Sequence, residues 1–316
     1  MKKLVSLAVS LGILALIYWK LSQNGQLGEL GGVFVNCDPL WMVLSLGMVV
    51  PLTMITSWRL QQLMPRRGQL GFGEANKLIL VASVLNMVLP SKMGDIAKAY
   101  FMRDRGHLDG SLALSLVVFE KACDLLSLLL WCALGLVIYP RKDWLFALMT
   151  LAVVGGLALG LGAIASRRIA RSAFHLASAI VPPQRLDKLQ TAWAAMHDYF
   201  WRDRVRLWQV ASLSVLIWFL HLLQIWFFIL ALNAWTPFVA NLALAPLAIL
   251  AGLLPLTFAG VGTRDAALIL FYQPYFSAPT AAALGLLCTS RYLMPAIAGL
   301  PFLGQYLSLI RRPKAP

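Results

Sequence analysis

The chain has 316 residues, 60% of them hydrophobic and 13% charged, with a mean hydropathy of +0.75 and a formal net charge of +14. Soluble domains run at roughly 45–50% apolar and about 25% charged residues, so the composition excludes a soluble globular enzyme and marks an all-α polytopic membrane protein. The basic residues are scattered over short segments and form no folded basic domain, which argues against a nucleic-acid partner and assigns the surplus to membrane topology and anionic headgroups.

A helix needs about 20 apolar residues to cross a hydrocarbon core of ~30 Å. The first such stretch is Leu4–Leu21, read as a retained anchor because no small-residue cleavage site follows Trp19-Lys20. Leu40–Ser57 is the second, and its Trp58-Arg59 end looks like an interface anchor, as do Trp19-Lys20 and Trp201-Arg202. Leu78–Met102 differs: an apolar arm, a break from Pro90 to Asp95, then a short second arm, each too short to span. Ser111–Tyr139 and Trp144–Ala165 are full spans, and glycines 155, 156, 160 and 162 in the latter are expected to permit close helix packing.

Ser166–Arg206 does not span. Leu186, Leu189, Trp193, Met196 and Phe200 recur there at intervals of three and four among basic residues, which predicts an amphipathic helix lying over 185–206 on the anionic inner leaflet. Leu207–Leu232 spans again. Leu242–Tyr272 repeats the interrupted pattern with its break at Pro255–Thr263, and Thr280–Tyr306 is the last span. The four cysteines show no CxxC spacing and the four histidines no metal-binding pair, so no metal or other cofactor is expected.

Six full spans alternating from an inside N-terminus place twenty of the 27 basic residues on the inner face and three outside. Both termini are then cytoplasmic. In that scheme Leu78–Met102 starts and ends inside and Leu242–Tyr272 starts and ends outside, so each is a re-entrant helical hairpin. One hairpin from each face, in corresponding places of two halves (1–165 and 207–316, joined by 166–206), predicts an inverted-topology repeat within a single membrane domain.

Non-helical backbone at membrane depth survives only where protein covers it or where it lines a wet cavity, so the two breaks are expected to meet at an internal cavity. Pro90, Ser91 and Gly94 form the first turn and Pro255, Gly260 and Gly262 the second, with Ser91 and Thr263 as candidate helix caps. Lys92 and Arg264 add positive charge where two helix N-termini point at the midplane, and Arg291 supplies a further cation from the last span. For Asp95 and Asp265 two readings stand: they cap the helices and pair with Lys98, Arg264 or Arg291, or they touch substrate. Glu120, Lys121 and Asp124 sit within the Ser111–Tyr139 span, Glu120 about 13 Å along it at ~1.5 Å per residue. Charge at that depth marks a pathway or an internal pair, here with Lys92, Lys98 or Arg103.

The series Asn86-x2-Leu89-Pro90-x3-Gly94-Asp95-x2-Lys98, Glu120-Lys121-x2-Asp124, and Leu254-Pro255 with Gly260-Val261-Gly262 and Asp265 resembles the transmembrane region of lysylphosphatidylglycerol synthases and the stand-alone, flippase-like UPF0104 membrane proteins. The likeness runs from about Leu4 to Tyr306. It departs from the family pattern at Lys92, where Arg is usual, and at Arg264-Asp265, where the motif commonly ends in Glu. In the fused synthases this region is held to translocate an aminoacylated lipid made by a separate cytoplasmic domain. That domain has no counterpart before Pro316, so the resemblance implies a translocator of the bacterial inner membrane and no aminoacyl transfer.

The leading expectation is a lipid translocator that moves a phospholipid, aminoacyl-phospholipid or polyprenyl-phosphate-linked lipid between leaflets. Lys92, Arg264 and Arg291 would hold its phosphate. Lys98 and Lys121 complete the site, and Glu120, Asp124, Asp95 and Asp265 would take a cationic headgroup portion or a coupling proton. Two alternatives from other classes are a polyprenyl-phosphate-dependent glycosyltransferase using Asp38 or Glu29, and a non-catalytic scaffold of an envelope assembly.

Overall fold

The computed structural model describes residues 2–88, 94–138, 143–178, 183–253 and 260–311. The described residues form α-helices and short turns, with no strand among them. In order they are α1 (Lys2–Gln23), α2 (Leu27–Val35), α3 (Pro39–Gly47), α4 (Val49–Leu63), α5 (Phe72–Val88), α6 (Gly94–Arg105), α7 (Gly110–Ile138), α8 (Trp144–Ala165), α9 (Arg167–Ala177), α10 (Pro183–Arg202), α11 (Arg204–Ala231), α12 (Phe238–Gly252), α13 (Thr263–Tyr272) and α14 (Ala278–Arg311).

Five helical stretches are long and apolar enough to cross a membrane: Pro39–Leu63, Gly110–Ile138, Trp144–Ala165, Arg204–Ala231 and Ala278–Tyr306. These coincide with five of the six expected spans. The sixth, Leu4–Leu21, lies in α1, whose described apolar stretch is the shorter Ala8–Gln23. α8 makes the membrane reading concrete. Val153 is its buried residue, while Leu148, Leu151, Val154, Leu159 and Leu161 are exposed, a surface that water would not tolerate. The protein is therefore an integral membrane protein with several candidate spans.

Local chemistry explains where the helices depart from the sequence expectation. The second span is broken at Met48 because Pro51 lacks the amide that would bond the Gly47 carbonyl one turn back. It then continues to Leu63, past the expected end at Ser57. α5 begins six residues before Leu78, since Glu74 in its first turn suits a helix N-terminus and accepts a hydrogen bond from Tyr306 Oη at 2.8 Å. α11 begins at Arg204 because the Asp203 carboxylate accepts from the Arg206 amide at 3.1 Å, so the stretch 185–206 is not one helix. Asp109 starts α7 in the same way, accepting from the amides of Ser111 at 2.9 Å and Leu112 at 3.3 Å and from the Ser111 hydroxyl. Those bonds, the hydroxyl's foremost, hold its pKa below the ordinary carboxylate value.

The chain forms two compact units. One comprises Pro51–Ser127, Gly155–Ile217 and Leu293–Pro316 and contains α5, α6, α9 and α10. Its core joins Leu60, Leu63, Leu78, Phe101, Met102, Leu116, Phe119 and Tyr306 with Met196 and Phe200 of α10. Phe200 stacks on Phe119 with ring centroids 4.0 Å apart. The apolar face of α10 that was expected to sink into the inner leaflet is thus largely used inside the protein, because α7 offers a matching aromatic surface. Tyr199 beside it is half-buried, and that burial raises its phenol pKa.

The other unit comprises Met1–Val50, Leu128–Val154 and Trp218–Tyr292 and contains α12 and α13. α12 is buried on every side from Ala243 to Ile249, as expected of a helix that is apolar all round. A Cβ at Gly135 of α7 would lie 2.2 Å from the Ala243 carbonyl oxygen, so that glycine sets the close approach. The expectation for the α8 glycines fails at Gly155, which faces nothing within 4 Å, because this part of α8 has no protein neighbour there.

Candidate functional site

Each interrupted segment is a packed pair of helices, α5 with α6 and α12 with α13. Lys92, Pro90, Ser91 and Pro255 lie outside the described residues. Gly94 opens α6 directly against α5: a Cβ there would stand 2.4 Å from the Ala82 carbonyl oxygen. In the second pair Gly260 and Gly262 carry φ of +77° and +99°, a region that side chains with a Cβ rarely adopt. Gly262, and not the expected Thr263, occupies the cap position of α13. The Asp265 carboxylate reaches back to accept from the Gly262 amide at 2.9 Å, which closes the N-terminus without a hydroxyl.

Around the first pair, six charged side chains form one network. On α7, Glu120 takes Arg59 Nη2 of α4 at 2.7 Å and also Lys98 Nζ of α6. Asp124, one turn further, pairs with Arg59 Nη1, which also donates to Ser214 Oγ at 2.8 Å. Lys121 bridges Asp95 of α6 at 3.2 Å and Asp124 at 3.7 Å. Three cations thus face three carboxylates, and Arg59, Lys98 and Glu120 are buried. The structure brings together Asp95, Lys98, Glu120, Lys121 and Asp124 as charged partners. Arg103 stays out of the network and lies over the Tyr100 ring, 5.0 Å from its centroid.

Arg59 is the correction here. Beside Trp58 at the expected end of a span it reads as an interface anchor, yet it is 2% exposed and forms the centre of the network. Because α4 runs on to Leu63, position 59 lies inside the helix and its side chain is directed into the packed core. The one sequence signal that could have found it is the shortage of cations for Glu120 and Asp124 within reach on α7 itself.

Around the second pair the balance is different. Arg264 Nη2 donates to Asp265 Oδ1 at 2.7 Å, to the Gly285 carbonyl at 2.8 Å and to Thr289 Oγ1 at 2.8 Å, and Arg264 Nε donates to Asp265 Oδ1 at 3.0 Å. Gly285 leaves room for this arrangement, since a Cβ there would meet Asp265 Oδ1 at 2.7 Å. Arg291 has no carboxylate partner among the described residues. Its Nη1 reaches the His221 carbonyl at 3.5 Å and its guanidinium lies 5.7 Å from the Tyr292 ring centroid. Arg264 Nη1 and Arg291 Nε have no hydrogen-bond partner among the described residues, although both side chains are buried. Two cations and one carboxylate therefore make up this cluster. Among the described residues no group of three His, Cys, Asp or Glu side chains is placed to hold a metal ion.

Asp38 serves as a helix cap, accepting from the amides of Leu40 at 2.8 Å and Trp41 at 3.1 Å. That work accounts for its position in the chain.

A helical membrane protein with two such hairpins also matches a known family along its length. The model of the lysylphosphatidylglycerol synthase TM region aligns with residues 3–299. The chain belongs to that family. A UPF0104 membrane protein of Methanocaldococcus jannaschii is similar to this chain, with 23% identity over 285 residues, which is 84% of this chain and 85% of the relative. The matched region of this member of the lysylphosphatidylglycerol synthase transmembrane family contains both hairpins and both charged clusters.

Proposed function

We propose that the protein is a lipid translocator, moving a phospholipid, an aminoacyl-phospholipid or a polyprenyl-phosphate-linked lipid between leaflets. The observation that carries the reading is buried charge on the second arm of both hairpins, Lys98 on α6 and Arg264 with Asp265 on α13. Charged groups inside a membrane helix cost about 2.5–3.5 kcal/mol each by insertion scales. Such groups mark a pathway or an internal pair, and at the second helix pair the described cations outnumber the carboxylates. In this reading α1 is a sixth span, the two helix pairs are re-entrant, and each pair brings its own charged residues to the headgroup: Lys92, Asp95, Lys98, Glu120, Lys121 and Asp124 at the first, and Arg264, Asp265 and Arg291 at the second. Membership of the family supports it, since the fused synthases are named for a lipid product.

The same reading places the protein in the bacterial cytoplasmic membrane with both termini inside. The basic residues of the non-spanning segments support that orientation even after the buried Arg59 and Lys98 are removed from the tally. A reporter fused after Pro316 that is active only on the outer side would overturn it.

The decisive experiment reconstitutes the purified protein in liposomes holding a fluorescent phospholipid and follows bleaching of the label by an impermeant reductant. Translocation brings inner-leaflet label within reach of the reductant at a rate above that of empty vesicles. Equal rates for phospholipid and polyprenyl-phosphate probes with and without protein would sink the proposal.

A further inference from the structure

We infer that this protein selects lipids of net negative charge: the phosphate is taken at Arg264 and Arg291, and a headgroup that adds a cation is disfavoured beside them. The inference rests on the translocator reading for its setting and on the charge accounting of the two clusters for its content.

A headgroup that carries an ammonium group needs a carboxylate with unused capacity. The first cluster offers none. Each carboxylate there already has at least one cation: Glu120 has two, Asp124 has Arg59 and Lys121, and Asp95 has Lys121. Lys92, adjacent in sequence, can only add positive charge. Recruiting Glu120 or Asp124 to a substrate ammonium would take a partner from buried Arg59 or Lys98, a costly loss for a buried charge, and Asp95 is engaged by Lys121.

The second cluster has the opposite shortage. Asp265 is committed twice, to the Gly262 amide and to Arg264. Arg291 is 7% exposed and has no carboxylate beside it among the described residues. Arg264 is 3% exposed, and its Nη1 and Arg291 Nε have no hydrogen-bond partner among the described residues. Arg264 reaches α14 at Thr289, two residues before Arg291, so both guanidinium groups lie along that helix. Two guanidinium groups against one carboxylate, the first of them in the N-terminal turn of α13, are suited to the oxygens of a phosphate ester.

The test measures binding and not transport, so that it can fail independently of the translocator reading. Purified full-length protein in neutral detergent is titrated with dioctanoyl-phosphatidylglycerol, its lysyl ester and dioctanoyl-phosphatidylcholine, read by native mass spectrometry. The anionic lipid is expected to bind at least tenfold more tightly than the lysyl ester and the zwitterionic lipid. Arg291→Gln should cut the affinity for the anionic lipid about tenfold and level the series, with partial recovery in Arg291→Lys. The wild-type series decides the matter alone if the variants misfold. Equal or tighter binding of the lysyl ester overturns the inference, and so does an unchanged headgroup order in well-folded Arg291→Gln. The expected order in a protein that moves no lipid in vesicles would uphold the inference and sink the translocator.

Discussion

The two hairpins solve the same problem with different charge accounts. Both lay a short helix against a longer one through a glycine contact, and both place ionic side chains on that short helix. The α6 helix is tied down by a network whose charges cancel, Lys98 and Asp95 finding their counter-ions on α7. The α13 helix is held by Arg264 with Asp265, by the Gly262 turn and by the neutral oxygens of Gly285 and Thr289 on α14, and among the described residues its cluster retains a net positive charge. A cancelled network holds structure together, whereas a residual charge is left for something else to neutralise.

The sharpest way to break this contrast is Glu120→Ala. It strands Lys98 and leaves Arg59 with Asp124 as its one carboxylate, and losing one partner of a buried ion pair costs about 3–5 kcal/mol. The melting temperature in detergent should fall steeply, and an unchanged melt would mean that the network is not structural. Next comes Gly262→Ala, which forces a Cβ into φ +99° and 3.1 Å from Ile13 Cβ. A loss of about 1–3 kcal/mol is expected, read by the same melt, while Gly155→Ala, where a Cβ meets nothing within 4 Å, should be neutral or slightly stabilising.

Arg291→Met should move the other way. Removing a buried cation that lacks a counter-ion is expected to stabilise the protein by about 1–2 kcal/mol while lowering lipid transport, a stability gain at the cost of function. A destabilised Arg291→Met would make the second cluster as structural as the first. The smallest effect belongs to Asp109, outside both clusters. Its depressed pKa means that its contribution to stability is present above the ordinary carboxylate pKa and fades as pH falls through the lowered value. Asp109→Asn should therefore flatten a slight acid-side loss in melting temperature, and an identical pH profile in both proteins would count against the cap.

How much of this was legible in the sequence depended on how local the cause was. The ends of α8 follow from an unbroken apolar run, and the expected limits Trp144–Ala165 coincide with the helix, while α7 is an apolar run that tolerates Glu120, Lys121 and Asp124 within it. The interrupted segments were legible because proline, glycine and charged residues crowd together there; Leu300-Pro301 with Gly304 beyond it stays inside α14, so the Leu-Pro pair alone does not end a helix. Arg59 was not legible, since its partners Glu120 and Asp124 lie more than sixty positions away and its neighbour Trp58 suggests a membrane interface. The lodging of α10 against Phe119 was hidden for the same reason: an amphipathic face fits a leaflet or a protein core equally well until its partner is known. Helix α2 went unread because Gly28, Gly31 and Gly32 dilute its helical signal.

The exposed surface of α8 has a practical consequence. With Val153 as its buried residue, α8 asks little of its side chains beyond an oily character, so exchanges among Leu, Ile, Val and Phe at 148, 151 and 159 should leave the protein unaltered. That tolerance makes the helix a natural depth gauge. A tryptophan at Leu151, quenched by lipids brominated at successive acyl carbons, would report how deeply that position lies in the bilayer.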